Sequence, residues 1–130
     1  MIHKTNNTYA KYIKKHPNFT GILMDKYETK FWFKRGKLHR EDGPAVEHAN
    51  GSKRWYKNGK CHRDDGPAIE SVNGDKEWYQ NGKLHREDGT AVVWHSGYKE
   101  YWIEGVSYSE DEFIAYQRSL RLERFLNEGS

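Results

Sequence analysis

The sequence predicts a mainly β protein, an antiparallel meander of stacked β-hairpin repeats with a capping helix at each end. The first observation is a 23-residue unit that occurs four times without a shift of register, beginning at Lys30, Lys53, Lys76 and Lys99. The second is a strand pattern with a strong turn signal in every unit, and the third is a helical pattern on either side of the units. A fixed period of this size is typical of repeat proteins, in which each unit buries its apolar face against its neighbours.

The composition fits one small domain with a thin core. Of the 130 residues 35% are hydrophobic, and an aromatic content of 15% supplies much of the apolar surface. The chain has no apolar run near the roughly 20 residues that cross a bilayer and no signal-peptide pattern, so we expect a cytoplasmic protein. The single cysteine, Cys61, stands where two other units have Leu38 and Leu84. We expect it to be a small core residue, and it has no partner for an intramolecular disulfide.

Residues 1–29 are predicted to form a helix and a degenerate opening strand. Apolar and aromatic side chains follow helical spacing from Tyr9 to His16, with Asn7 or Thr8 as the N-cap and Pro17 as the stop. The Ile-Leu-Met run at 22–24 then falls in the register of residues 45–47 of the first full unit. This segment is also basic, which either marks a solvated helix face or attracts phosphate or an acidic protein.

Residues 30–105 are predicted to form the repeat sheet. In the second unit Lys53–Lys57 reads as a strand, Asn58-Gly59 suits a type I′ hairpin turn, and Lys60–His62 is the returning strand. A further strand after Ala68 leads through the turn at Asn73-Gly74 into the next unit. The product is a meander of hairpins that pair side by side.

Two aromatic columns follow from the alternation of side chains across these strands. One face of the sheet should carry Trp32, Trp55 and Trp78, and the other Phe33, Tyr56, Tyr79 and Trp102. We expect the columns to be the core of the array. An open aromatic face around Tyr56 and Tyr79 is the alternative, because a thin sheet can leave one side partly free for binding.

A His-Arg-acid-Asp-Gly block follows the hairpin in three units and is the one place where catalytic or metal chemistry can be sought. Its imidazoles and carboxylates belong to His39, Asp42, His62, Asp65, His85 and Asp88. A metal needs three or four ligands at one point, whereas the repeat spaces equivalent loops about 10 Å apart. We therefore expect structural roles and assign no catalytic, cofactor-binding or metal residue. The aspartates should accept backbone N–H bonds and the glycines should adopt positive φ. The arginines at 40, 63 and 86 should pair with acids of adjacent loops.

Residues 106–130 are predicted to form a C-terminal capping helix from Glu110 to Leu126, because Ser109 and Glu112 make a capping box. One side of the helix, with Phe113, Tyr116 and Leu120, is enough to close the last unit. A second apolar side has no evident use in capping. Its candidate partner-binding residues are Leu122, Phe125 and Leu126, with Arg118, Arg121 and Arg124 as a polar rim. This ridge could meet the N-terminal helix, a second copy of the chain or a foreign protein.

The repeated pattern Trp-Tyr-x-Asn-Gly-Lys-x-His-Arg-x-Asp-Gly-Pro-Ala resembles MORN (membrane occupation and recognition nexus) repeats, in the MORN-like variant found in bacteriophage, large-virus and bacterial proteins. The match extends from about Phe31 to Gly105. The resemblance implies a sheet of stacked hairpins, frequent self-association, and binding of proteins or sometimes of anionic lipid. The Arg-acid-Asp-Gly-Pro stretch departs from the shorter glycine-rich link of the usual repeat.

These observations favour a non-enzymatic scaffold that binds another protein, with no cofactor. The resemblance points to a bacteriophage accessory factor, in the host cytoplasm, that inhibits a defence system, toxin or enzyme. The partner would then be a host or viral protein, and a homo-oligomer is a further option. The alternative is a module that binds nucleic acid or anionic lipid, using the hairpin-turn lysines Lys37, Lys60 and Lys83.

Overall fold

The computed structural model of the chain describes residues 1–129, so Ser130, the last residue of the predicted C-terminal segment, lies outside the described residues. The strands are β1 Ile2–Lys4, β2 Gly21–Met24, β3 Lys30–Lys34, β4 Lys37–Leu38, β5 Val46–Glu47, β6 Lys53–Arg54, β7 Tyr56–Lys57, β8 Lys60–Cys61, β9 Ile69–Glu70, β10 Lys76–Glu77, β11 Tyr79–Gln80, β12 Lys83–Leu84, β13 Val92–Val93, β14 Lys99–Ile103 and β15 Val106–Tyr108. The helices are α1 Tyr9–Lys15 and α2 Glu110–Glu128.

The strands form the predicted antiparallel meander. The main sheet is open and runs in the order β1-β2-β3-β5-β6-β9-β10-β13-β14-β15, with β4 paired to β3. The pairing of β2 with β3 has the same register, one unit earlier, as the pairing of β5 with β6. Strand β1 is not foreseen from the sequence. It pairs in parallel with β2, since α1 lies between the two strands and returns the chain in the same direction.

The hairpin turns have the type I′ conformation that the Asn-Gly dipeptide predicts. Asn58 and Gly59 have φ values of 51° and 80°, and a type I′ turn requires positive φ at both positions. Arg35 and Glu104 take the same left-handed conformation at the corresponding positions of the first and fourth units, with φ of 51° and 47°. The four turns lie along one edge of the array, which we call the turn edge.

Each Trp strand of the middle units is divided into two short strands, which the sequence does not predict. Trp55 lies between β6 and β7, and its N–H donates to the Ala68 carbonyl at 2.8 Å. Its own carbonyl accepts from the His62 N–H at 3.1 Å. The tryptophan therefore bonds to two different chain segments. The strand before it, β6, pairs within the main sheet, whereas the strand after it, β7, pairs only with β8.

Both predicted capping helices are present. Helix α1 has Thr8 as its N-cap, with the Thr8 hydroxyl accepting from the Lys11 N–H, and it ends at Lys15, two residues before Pro17. Helix α2 has the predicted capping box of Ser109 and Glu112. In the described part of the chain, neither helix is long and apolar enough to cross a membrane.

The core lies on the face of the sheet opposite the tryptophans. Leu23, Phe31, Phe33 and Val46 form a buried cluster beneath α1, and Phe19 and Leu38 pack against it. The alanines that accept the tryptophan N–H bonds at 45, 68 and 91 are fully buried. The tryptophan column itself is only half-buried. The expectation that it forms the core is wrong, because an arginine side chain and polar loops cover these indoles.

Candidate binding surfaces

The arginine of each block packs on the tryptophan of its own unit. The guanidinium carbon of Arg63 lies 3.8 Å from the centroid of the Trp55 ring, and the pairs Arg40-Trp32 and Arg86-Trp78 repeat the contact at 4.0 Å and 4.1 Å. Arg63 also donates from Nε to Asp65 at 2.9 Å and from Nη1 to Glu70 at 3.1 Å and to the Pro67 carbonyl at 3.0 Å. The guanidinium is therefore held by an indole face, two carboxylates and one carbonyl.

Two details of the predicted block are wrong. The arginines pair with acids of their own unit and not with acids of adjacent loops, since Asp65 and Glu70 both belong to the unit of Arg63. Gly66 does not have a positive φ. A Cβ at Gly66 would lie 3.0 Å from the Arg63 guanidinium carbon, so glycine leaves room here for the close approach of the arginine.

The aspartate of the block bonds chiefly to the arginine side chain, and a backbone N–H bond within its own residue is a smaller contribution. Asp42 accepts from Arg40 Nε at 3.0 Å. This hydrogen bond and the charge of Arg40 lower the pKa of the Asp42 carboxyl. The aspartate therefore holds the arginine in place over the tryptophan.

The histidine of each block connects successive units. His62 Nδ1 accepts a 3.0 Å bond from the backbone N–H of Asn81 in the next type I′ turn, and His62 Nε2 lies 2.9 Å from Asp64. His39 and His85 accept in the same way from Asn58 and from Glu104. A neutral imidazole with its proton on Nε2 satisfies both bonds at once. The repeated histidine therefore bonds each unit to the turn of the next one.

The polar side chains of the block bond mainly to one another and to nearby backbone groups. Each carboxylate is bonded to an arginine or histidine of its own loop, and equivalent groups are separated by a whole unit. Within residues 1–129 no group of three or more His, Cys, Asp or Glu side chains is placed to hold a metal ion.

Open clefts lie between successive block loops. One cleft of about 610 Å³ is lined by residues from Arg40 to Asp65, and the next, of about 550 Å³, is lined by the same positions one unit later. A third, smaller cleft continues the row between Glu87, Asp88 and helix α2. The helix therefore takes the place of a fourth loop in the row.

The face that carries Tyr56 and Tyr79 is partly exposed to solvent. Both side chains are half-buried. Burial and the neighbouring carboxylate of Glu77 raise the pKa of Tyr79 to about 12. Cys61 is buried beside Tyr56, its partner across the hairpin, and burial raises the pKa of its thiol to about 12. Cys61 is therefore a core residue, as its repeat position predicts.

The second apolar side of α2 is exposed over its whole length. The exposed fractions are 59% for Leu122, 71% for Phe125 and 61% for Leu126, and Ile114 on the same side is 40% exposed. We call these four residues the ridge. The opposite side of the helix is used for capping, where Phe113 is buried and stacks on Tyr101 with a centroid distance of 4.5 Å.

The option that the ridge packs against the N-terminal helix is wrong. Helix α1 packs on the core cluster at the start of the array, where Tyr9 stacks on Phe31 at 4.5 Å. Helix α2 packs at the other end, where Gln117 donates to the Glu87 carbonyl and Arg124 lies 3.6 Å from the Glu87 carboxylate. The two helices cap opposite ends of one array, and the ridge has no cover from the described part of the chain.

The predicted lysines lie in a row along the turn edge. Lys37, Lys60 and Lys83 are exposed, and the aliphatic part of each packs beside the glycine of the next turn, at Gly59, Gly82 and Gly105. Sequence reasoning missed Lys34 and Arg35, which lie at the same edge. The hairpin register carries the signal, because it sets Lys34 directly opposite Lys37.

Comparison of this chain with protein-family models, with curated proteins and with solved structures finds no match.

Proposed function

We propose that this chain is a non-enzymatic scaffold that binds another protein through the ridge on α2. The observation that carries the proposal is the exposure of Leu122, Phe125 and Leu126 on a helix whose other side already caps the sheet. Large apolar side chains grouped on one face of an otherwise charged helix favour burial in a groove of a partner.

The surroundings of the ridge indicate the chemistry of the partner. Arg118 and Arg121 are exposed, and no carboxylate among residues 1–129 lies within ion-pair distance of either. Arg124 shares only a long contact with Glu87. A protein surface with an apolar groove and carboxylates at its rim would bury the ridge and pair with these arginines.

The block residues support a binding role over a catalytic one. Their imidazoles, guanidinium groups and carboxylates hold loops and units together, as the three bonds and the ring contact of Arg63 illustrate. The biological setting proposed from the sequence resemblance is a bacteriophage factor that inhibits a host defence system, toxin or enzyme by occupying its surface.

A photo-crosslinking amino acid at position 122 tests the proposal, with the same amino acid at position 98 as the control. Tyr98 is 65% exposed and lies in the turn between β13 and β14, outside the ridge. We expect one crosslinked protein from position 122 and none from position 98. The purified partner should then bind the unmodified chain and lose at least about tenfold in affinity when Leu122→Ser and Phe125→Ser are combined.

Two results would contradict the proposal. One is equal crosslinking of the same protein from positions 122 and 98. The other is an identified partner whose affinity is unchanged by the two ridge substitutions.

A further inference from the structure

The first turn of the turn edge gathers positive charge from two separate segments of the chain. Lys34 and Lys37 are cross-strand partners on β3 and β4, with Arg35 between them in the turn. Lys14 of α1 lines the same groove as Lys37. Lys15 lies two residues before Pro17, whose carbonyl packs directly on Gly36. We call these five residues the first-turn cluster.

The cluster is held in a fixed geometry. The Arg35 N–H donates to the Thr20 hydroxyl at 2.8 Å, and the Gly36 N–H donates to the Phe19 carbonyl at 2.8 Å. These bonds join the segment after α1 to the turn. The backbone segments that carry the five basic residues are therefore held next to each other.

The arrangement is unfavourable for the isolated chain. Like charges directly opposite each other on paired strands repel, and Lys34 and Lys37 are such a pair. Arg35 occupies a left-handed position that suits asparagine better, and the second and third turns do have Asn58 and Asn81 there. No member of the cluster has a carboxylate within ion-pair distance among residues 1–129.

The second turn shows how the chain neutralises such a pair. Lys57 and Lys60 are also cross-strand partners, but Lys57 lies 3.5 Å from Asp64. The equivalent acid of the first unit, Glu41, bonds to His39 at 2.7 Å, as Asp64 does to His62, but it is not within ion-pair distance of Lys34. The charge of the first turn thus remains available to a ligand.

Charge declines along the turn edge from this cluster. Three positions of each turn are compared: the residue before the turn, the first turn residue, which is left-handed, and the residue after the turn. Their formal charges sum to +3, +2, +1 and −1 from the first to the fourth turn. A flat anionic membrane lying along the whole edge would meet Glu104 at its far end. A single polyanionic strand that crosses the first two turns would meet only positive charge.

We propose that the first-turn cluster binds the phosphate backbone of single-stranded nucleic acid without reading its sequence. Closely spaced phosphates match a group of fixed, unpaired cations, and their neutralisation relieves the repulsion between Lys34 and Lys37. The site lies at the opposite end of the array from the ridge, so it is independent of the protein-binding function proposed above.

Fluorescence anisotropy with a labelled single-stranded oligonucleotide of about 20 mixed nucleotides, as DNA and as RNA, tests the proposal between about 50 and 200 mM salt. The cluster variant is Lys34→Gln/Arg35→Asn/Lys37→Gln. The matched control, Lys76→Gln/Lys83→Gln/Lys99→Gln, removes the same number of exposed charges outside the first two turns. We expect the cluster variant to lose at least about tenfold in affinity, with a log-log salt slope shallower by about two, and the control to lose less than about threefold.

A second variant, Lys14→Gln/Lys15→Gln, removes the helix charges without touching the turn and should weaken binding to an intermediate degree. The ridge variant Leu122→Ser should bind the oligonucleotide as the unmodified chain does.

Equal losses in the cluster variant and the control would overturn the proposal, as would the absence of salt-dependent binding by the unmodified chain. Binding to phosphatidylserine vesicles without binding to either oligonucleotide would also overturn it.

Discussion

At the scale of single residues, the guanidinium of Arg63 holds four groups of its own unit. It stacks on Trp55, bonds to Asp65 and Glu70, and donates to the Pro67 carbonyl. Since the side chain of Arg63 is largely buried, loss of this charge leaves two carboxylates and an indole without their shared partner.

We expect Arg63→Gln to lower the free energy of unfolding by about 2–3 kcal/mol, as judged from a charged hydrogen-bond partner plus a cation–π contact. Urea unfolding followed by tryptophan fluorescence measures it. Arg54→Gln in the same unit is the control, because Arg54 is exposed and has no carboxylate within ion-pair distance in the described chain. A loss as large for Arg54 as for Arg63 would show that net charge, and not the Arg63 contacts, determines stability.

His62 should matter more than Asp65, which reverses the order expected when the aspartate is taken to satisfy backbone donors. His62→Ala removes the acceptor of the Asn81 N–H and the bond to Asp64, at a cost of about 1–2 kcal/mol. Asp65 is 85% exposed and bonds only to Arg63, so Asp65→Asn should cost under about 1 kcal/mol. Chemical denaturation of both variants gives the order, and a larger loss of stability for Asp65→Asn than for His62→Ala would contradict this prediction.

The buried thiol of Cys61 predicts a loss of stability at alkaline pH. Burial raises its pKa from 9.0 to about 12, so the folded state favours the protonated thiol. The contribution is complete below pH 9 and declines as the pH rises towards 12, because the unfolded thiol ionises first. Tyr79 acts in the same direction above pH 10.

The measurement is urea unfolding at about pH 8 and pH 10, since one pKa unit corresponds to about 1.4 kcal/mol. Cys61→Leu, which copies Leu38 and Leu84 of the neighbouring units, should reduce the decline between the two values. An unchanged decline in this variant would assign the alkaline sensitivity to other groups. The folded chain should also resist alkylation by iodoacetamide at pH 8.

At the scale of elements, one glycine allows the segment after α1 to approach the first turn closely. A Cβ at Gly36 would lie 1.8 Å from the Pro17 carbonyl oxygen, whereas a Cβ at Gly59 would meet only the Lys37 side chain at 3.6 Å. Both glycines have a φ of 80°. The two positions therefore share the same backbone strain and differ only in the clash.

Gly59→Ala should cost roughly 1–2 kcal/mol from the left-handed conformation alone. Gly36→Ala should cost about 2 kcal/mol more, because the overlap with Pro17 displaces the segment that carries α1. Urea unfolding gives the difference, and faster amide hydrogen exchange in residues 9–20 of the Gly36 variant would locate it. Equal losses for the two variants would mean that this segment does not depend on the contact.

The start of helix α2 occupies the sequence register that holds the block in the three preceding units. Glu110 and Asp111 take the positions of Glu87 and Asp88, while Ser109 stands in place of the arginine and Glu112 in place of the glycine. Without the arginine the loop cannot stack on an aromatic ring. Ser109 and Glu112 form a capping box instead, so the same register that produces a loop in three units begins a helix in the fourth.

At the scale of the whole molecule, the array has two different ends, with the cluster and α1 at one and the ridge at the other. The period of the sequence predicted the meander, the type I′ turns and both caps, because these depend on local turn and capping chemistry. The ridge residues were also identified, since the helical spacing separates them from Phe113. Their exposure is a tertiary property and needed the structure.

The block and the first-turn cluster could not be read from the sequence in the same way. The arginine stacks on a tryptophan eight residues earlier in the chain, and the histidine bonds to a turn 19 residues later. The cluster joins residues 14–15 to residues 34–37 through contacts of Pro17 and Thr20. Such pairings depend on how the units stack and have no local pattern.

The central claim is that the block stabilises the fold and that the ridge binds a partner protein. The most direct measurement is the free energy of urea unfolding of Leu122→Ser/Phe125→Ser/Leu126→Ser beside that of Arg63→Gln. We predict a change within about 0.5 kcal/mol for the ridge variant, since exposed side chains contribute little to folding, and the loss of about 2–3 kcal/mol for Arg63→Gln. A ridge variant destabilised as much as Arg63→Gln would contradict the account, because the ridge would then be part of the fold.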